Sequence, residues 1–155
     1  MALVVAKSDT SVTTELVDSL VRLSFAVHDI LGRAASEHRL SVTQLRLLGI
    51  LRDRNPPMAA IAEYLRLDRS SVTGLVDRAE GRGLVSRTAS TEDGRVTIVT
   101  ITPTGAEVGR RVAAMVTTEI EALMDHVSAT DRDRMVRIAE SVLSERVKKL
   151  ETTIR

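Results

Sequence analysis

The sequence predicts a mainly α-helical chain with one small β-hairpin, and three observations carry that expectation. Apolar residues recur at three- and four-residue steps over most of the chain, the mark of helices with one buried face. Two alternating runs, Leu84-Val85-Ser86-Arg87 and Val96-Thr97-Ile98-Val99-Thr100-Ile101, bracket a turn-rich tip at Thr91-Glu92-Asp93-Gly94, which makes them a hairpin. Between Ile61 and Arg95 the order is helix, tight turn, second helix, strand, charged loop, with the next strand following at once. That succession is a winged helix-turn-helix. Long helices precede and follow it, so the predicted architecture is a winged helix-turn-helix flanked by N- and C-terminal dimerisation helices.

Residues 1–11 show no periodicity and read as a loose arm. From Thr13 to about Ser36, Leu16, Leu20, Leu23, Val27, Ile30/Leu31 and Ala34 form the stripe of one long amphipathic helix. Ser41 and Gln44 make a capping box that starts the next helix, with Leu40 placed to staple onto Leu45. That helix carries Leu45, Leu48 and Leu51 inward and stops before Asn55-Pro56-Pro57. A short helix from about Met58 to Leu65 buries Ile61, Ala62 and Leu65. Asp68 caps the following one, and Leu67 can staple onto Val72 across it. After the hairpin, Thr102 as N-cap with Pro103 at the first helical position opens a helix to about Val127. Thr130 with Asp133 caps the last helix, which carries Met135, Ile138/Ala139, Val142, Val147, Leu150 and Ile154.

The helix capped by Asp68 has two unlike faces. Val72, Leu75, Val76 and Ala79 fall on the buried side. Arg69, Ser70, Thr73, Gly74, Asp77 and Arg78 fall on the other. Short polar side chains let a helix backbone approach a DNA major groove, and Arg, Ser or Thr can reach base edges and phosphates. Arg69 and Arg78 bind phosphates on this reading, or pair with Asp77, Glu80 or Asp93. Arg87 on the first wing strand faces a phosphate or solvent.

Composition narrows the class. A chain of 155 residues buries roughly 70% of its unfolded surface in one core. Phe25 and Tyr64 are the only aromatics, so that core must be aliphatic, which favours helix-on-helix packing. The absence of Cys excludes disulfides, thiolate metal sites and thiol redox sensing. The apolar run from Ala2 to Ala6 is too short for a signal peptide or membrane span, and a cytoplasmic protein is the expectation. Net charge is +1, without a global basic footprint. Residues 39–95 nonetheless hold ten Lys/Arg against seven Asp/Glu, a balance compatible with DNA.

The three long outer helices cannot all hide their stripes on a small winged-helix core. Pairing Leu16, Leu20 and Leu23 with Val142, Val147 and Leu150, within and between two copies, would bury them. The alternative is a three-helix lobe packed inside one monomer. The expected organisation is a single domain over residues 1–155. Its residues 12–36 and 103–155 form a helical dimerisation lobe, and 41–101 form the DNA-binding lobe.

Several stretches resemble one family. Ser41-Val42-Thr43-Gln44-Leu45 with Leu48, and Ile61-Ala62-Glu63-Tyr64-Leu65, come first. Asp68-Arg69-Ser70-Ser71-Val72-Thr73-Gly74-Leu75-Val76-Asp77-Arg78 is the most specific. Gly83-Leu84-Val85, Asp93-x-Arg95 and Thr102-Pro103-x-Gly105 complete the set. In this order and spacing the chain is similar to the multiple-antibiotic-resistance regulator (MarR) family of bacterial transcription factors. The resemblance implies a homodimer with interlocked terminal helices, recognition helices in consecutive major grooves and wings over the minor grooves. It implies that Ser70, Ser71, Thr73, Gly74 and Arg78 meet DNA, that Arg95 enters the minor groove and that Asp93 holds the wing's shape. It further implies a small aromatic or amphipathic effector lodged between the two lobes. The chain departs from the family at Gly74, where a longer polar residue is usual, and at Ala79, where a bulky Leu usually seats the helix.

The expected function is therefore a homodimeric, sequence-specific DNA-binding transcriptional repressor of a pseudo-palindromic operator, released by a small molecule, with no cofactor. A winged helix that binds protein, or nucleic acid without sequence preference, is the alternative. An enzyme has no support: there is no phosphate loop, no His-x-x-x-His pair and no Ser-centred elbow. His28, His38 and His126 lack a second ligand at i+3 or i+4, so no metal site is expected.

Overall fold

The computed structural model describes residues 13–154, with side chains through residue 144. The elements in order are α1 (Thr14–Glu37), α2 (Val42–Leu51), α3 (Met58–Leu65), α4 (Arg69–Gly81), β1 (Val85–Ala89), β2 (Thr97–Ile101), α5 (Pro103–Leu123) and α6 (Ala129–Ile154). About 70% of the described residues are helical, and the two strands form one antiparallel hairpin with Val85 opposite Ile101 and Ala89 opposite Thr97.

Local chemistry sets the element boundaries. The hydroxyl of Thr13 accepts from Leu16 N and starts α1. Ser41 and Gln44 exchange bonds in both directions at the head of α2, at 3.1 and 3.0 Å. Asp68 caps α4, and Thr102 with Pro103 at N1 opens α5. Between α3 and α4 the chain reverses at Arg66, which takes a left-handed φ of 55°. Leu67 N then donates to Ala62 O and Arg66 N to Glu63 O, a Schellman closure that sets the tight turn of the motif.

The core lies beneath α4, where α2, α3, α5 and the hairpin converge. Leu47, Leu51, Ile61, Val72, Val76, Val85, Val99 and Val112 are its largest fully buried side chains. Each contributes about 1.5–3 kcal/mol of burial free energy, so this aliphatic cluster is what fixes the orientation of α4. Ala79 is 1% exposed, and its carbonyl accepts from Leu84 N. The smaller side chain at that position is closed in by its neighbours.

Several boundaries differ from the sequence reading, each for a local reason. Leu84 is not in the first strand; its amide closes the C-terminus of α4 behind Gly83, whose φ is +67°. Val96 N donates to Asp93 O and so belongs to the wing turn, leaving β2 to begin at Thr97. The last helix is capped by Ser128, not Thr130. Ser128 Oγ accepts from Asp131 N and donates to the Asp131 carboxylate. α5 accordingly ends at Leu123, short of Val127. Leu45 is half-buried, with Leu47 taking the inward place. The Pro56-Pro57 segment also joins the hairpin: Val99 N donates to Pro56 O at 3.1 Å, and Pro57 bridges Ile98.

The outer helices leave apolar surface uncovered in a single chain. Only the C-terminal part of α1 (Ile30, Ala34, Ala35) reaches the core, where α1 packs beside α5. Leu16, Leu20 and Leu23 are 48%, 55% and 36% exposed. Along α6, Met135, Ile138 and Val142 are exposed, Val142 by 72%. Val147 and Leu150 lie outside the residues whose side chains are described. No described helix is long and apolar enough to cross a membrane.

Candidate nucleic-acid interface

α4 stands proud of the core with Val72, Leu75, Val76 and Ala79 behind it and its polar face outward. Two concavities flank that face. One, of about 520 Å³, lies between the start of α3, α4 and the hairpin, where Arg69, Thr73, Arg87 and Arg95 line it over Met58 and Val72. The other, of about 400 Å³, opens toward the head of α2 and is lined by Ser41, Thr43, Ser70, Ser71, Gly74 and Arg78. The sequence-predicted DNA-facing residues thus divide between two hollows on either side of one helix.

At the N-terminus of α4 the Asp68 carboxylate gathers three donors. Ser70 Oγ and Ser71 Oγ each donate to it at 2.6 Å, and Ser71 N donates at 2.9 Å. The two hydroxyls, Ser70 first, and the amide hold its pKa well below the usual carboxylate range. One turn on, Thr73 Oγ1 donates back to Arg69 O at 2.9 Å, an i−4 bond that occupies its proton. Gly74 is not idle space. A Cβ there would stand 3.2 Å from the guanidinium of Arg78, which folds back over the glycine.

The hairpin tip is shaped by side chain-to-backbone bonds. Asp93 accepts from Arg95 N at 3.0 Å, and Ser90 Oγ accepts from the amides of Glu92 and Asp93. These turns leave Arg95 exposed beside β2.

The arginines behave differently from one another. Arg87 donates to both Glu80 and Asp77, tying β1 to α4. The hydrogen bond from Arg87 lowers the pKa of Glu80, and Glu80, then Asp77, raise that of Arg87. Its charge is compensated inside the fold. Arg82 donates to the carbonyls of Arg39 and His38 at 2.7 and 2.9 Å and pins the turn between α1 and α2. Arg69, Arg78 and Arg95 pair with no described carboxylate. The sequence reading does not reach three roles that matter here: Asp68 as anchor of the two serines, Arg82 as the pin and Ser90 at the wing tip. The Asp-x-Ser-Ser spacing is the one signal that could have shown the first.

Residues 40–97, the span holding α2, α3, α4 and nearly all of the hairpin, match the family model of the MarR family. Over these residues the chain is similar to the MarR family. Solved structures of the same fold extend over more of the chain. The transcriptional repressor CouR bound to a 23-mer DNA duplex superposes with a TM-score of 0.72 at 24% identity, covering 88% of this chain and 99% of CouR. CouR from Rhodococcus jostii RHA1 bound to p-coumaroyl-CoA gives 0.67 at 22%, covering 88% and 95%. A mutant MarR from E. coli, complexed with operator DNA, gives 0.69 at 19%, covering 83% and 94%. No curated protein matches the sequence. In this winged-helix lobe, α3 and α4 are the helix-turn-helix and the β1–β2 hairpin is the wing. The fold class read from the sequence is the one observed.

Proposed function

We propose that the chain is a homodimeric, sequence-specific DNA-binding transcriptional regulator that represses from a pseudo-palindromic operator. One observation carries the reading: among the described residues, α4 presents Arg69 and Arg78 unpaired on an exposed polar face, with the wing's Arg95 also unpaired beside it. Inserted into a major groove, that face would put short side chains and two cations against base edges and phosphates. Arg95 would follow the wing into the adjacent minor groove, whose negative potential favours a guanidinium. Asp93 orders the wing for this purpose. Arg87, already paired with Glu80 and Asp77, holds the wing to α4 and contributes little charge to DNA.

The exposed stripes of α1 and α6 supply the dimer seam, residues 12–36 and 103–155 acting as one lobe and 41–101 as the other. Two-fold pairing sets the separation of the two recognition helices at about one helical turn of DNA. A ligand that favours a dimer with its helices at the wrong separation would shift the population off the operator. The operator complex of E. coli MarR and the repressor CouR with DNA support the DNA reading; CouR with p-coumaroyl-CoA supports a small aromatic or amphipathic effector.

The test is a gel-shift series with DNA from upstream of its own gene, over a range of salt and against scrambled duplex. Selective retention at physiological salt is expected, whereas equal retention of both duplexes would overturn sequence specificity. Calorimetry against phenolic acids examines the effector arm; no heat at millimolar ligand would remove it.

A further inference from the structure

We propose that Asp68 turns the hydroxyls of Ser70 and Ser71 into hydrogen-bond acceptors only, so that this end of α4 reads an exocyclic amino group of a base, not a phosphate. The proposal deepens the reading of α4 as the DNA-facing helix and rests on it.

A carboxylate has no proton to give, so the 2.6 Å contacts from Ser70 Oγ and Ser71 Oγ to Asp68 must be spanned by the serine protons. Both hydroxyls have then spent their single donor, and only lone pairs remain to face a ligand. Ser71 N, which would otherwise serve an anion at a helix N-terminus, is also taken by Asp68 at 2.9 Å. The cluster carries a net negative charge where the helix dipole would otherwise attract a phosphate. Acceptors and a negative charge repel a phosphate oxygen. In the major groove they also repel guanine O6 and N7 and thymine O4. The amino groups at adenine N6 and cytosine N4 are the donors that remain.

The neighbouring side chain has the opposite polarity. Gly74 lies three residues beyond Ser71, about 4.5 Å along the helix axis and little more than one base step. There the Arg78 guanidinium rests over the glycine, a group that can only donate. Acceptors followed by donors complement an amino-bearing base next to a guanine.

The experiment uses the full-length protein and duplexes it enriches from a random library. In the enriched site each adenine is replaced by purine lacking the 6-amino group, and each cytosine by the pyrimidinone lacking the 4-amino group. At one base per half-site, deleting the amino group should weaken binding by the wild type about fivefold. The Ser70→Ala/Ser71→Ala double variant should not register that deletion. Asp68→Asn remains an N-cap, but its amide can donate to the serines and free their protons, so it should lower the discrimination. The proposal fails if every deletion costs the double variant as much as the wild type. It fails equally if the double variant loses affinity for all duplexes alike with a shallower salt dependence, the mark of a phosphate contact. Failure to enrich any duplex would instead strike the DNA-binding reading itself, before any base analogue is used.

Discussion

Replacing Gly105 by alanine should loosen the joint between the wing and α5, and the structure gives a scale for the damage. A Cβ at position 105 would stand 2.0 Å from Leu84 O, 2.8 Å from Leu84 C and 3.1 Å from Ile101 Cγ1. The carbonyl cannot simply swing away. It accepts from Thr102 N at 3.0 Å, while Thr102 Oγ1 donates to Gly83 O and accepts from Gly105 N. Relief therefore requires moving α5 off Leu84 by more than an ångström. Overpacking costs about 1–3 kcal/mol, and a 2.0 Å approach to a hydrogen-bonded backbone carbonyl belongs at the top of that range. Alanine returns about 1 kcal/mol through helix propensity. The net loss should be about 2 kcal/mol, or about 4–8 °C in Tm for a chain of this size. Gly49→Ala is the control, because nothing lies within 4 Å of its added Cβ in the last turn of α2; it should gain up to about 1 kcal/mol. Thermal and urea unfolding at one fixed protomer concentration would measure both. A Gly105→Ala protein as stable as its parent would refute the close approach of α5 to Leu84.

Other perturbations test other joints. Arg95→Ala should lower the slope of log affinity against log salt by about 2 for a dimer with two wings, and an unchanged slope would place Arg95 off the DNA. Leu20→Glu, on a residue 55% exposed in one chain, should convert a dimer to monomer in sedimentation while the circular dichroism of α2–α4 survives. Gly74→Ala should raise the unfolding free energy by up to about 1 kcal/mol yet weaken operator binding, since its Cβ displaces the Arg78 guanidinium. Arg87→Met should destabilise at neutral pH. Because Arg87 depresses the Glu80 pKa, its stabilisation is complete above the ordinary Glu value of 4.5 and fades as pH falls through the folded value. Chemical unfolding at neutral and acid pH should show the gap between wild type and variant narrowing only on the acid side.

What could be read in the sequence was whatever local chemistry decides. The Ser41/Gln44 box, the Asp68 cap and the Thr102-Pro103 start are each written within four residues, and the helices begin where those signals stand. Boundaries differ where a distant or competing bond wins. Leu84 alternates like a strand residue but is claimed by Ala79 O, and Ser128 outcompetes Thr130 because it reaches Asp131 first. The left-handed turn at Arg66 was invisible for a different reason. A glycine is the usual sign of that conformation, and an arginine occupies it here at a backbone cost of about 1 kcal/mol or more.

The arginines show most clearly what a linear reading lacks. Arg69, Arg78, Arg82 and Arg87 look alike in sequence, all near Asp77 or Glu80. Folding sorts them by partners that lie far along the chain: Arg82 reaches carbonyls 43 and 44 residues away, and Arg87 reaches carboxylates 7 and 10 residues away. Once those two are spent, the cations left over on this face among the described residues are Arg69 and Arg78 on α4 and Arg95 on the wing. A net charge of +1 therefore says little about the field there. What a phosphate backbone meets is decided by which guanidiniums the fold leaves unpaired. The Asp77–Glu80–Arg87 cluster, by consuming two carboxylates that would otherwise face the same groove, protects that field as much as it braces the wing.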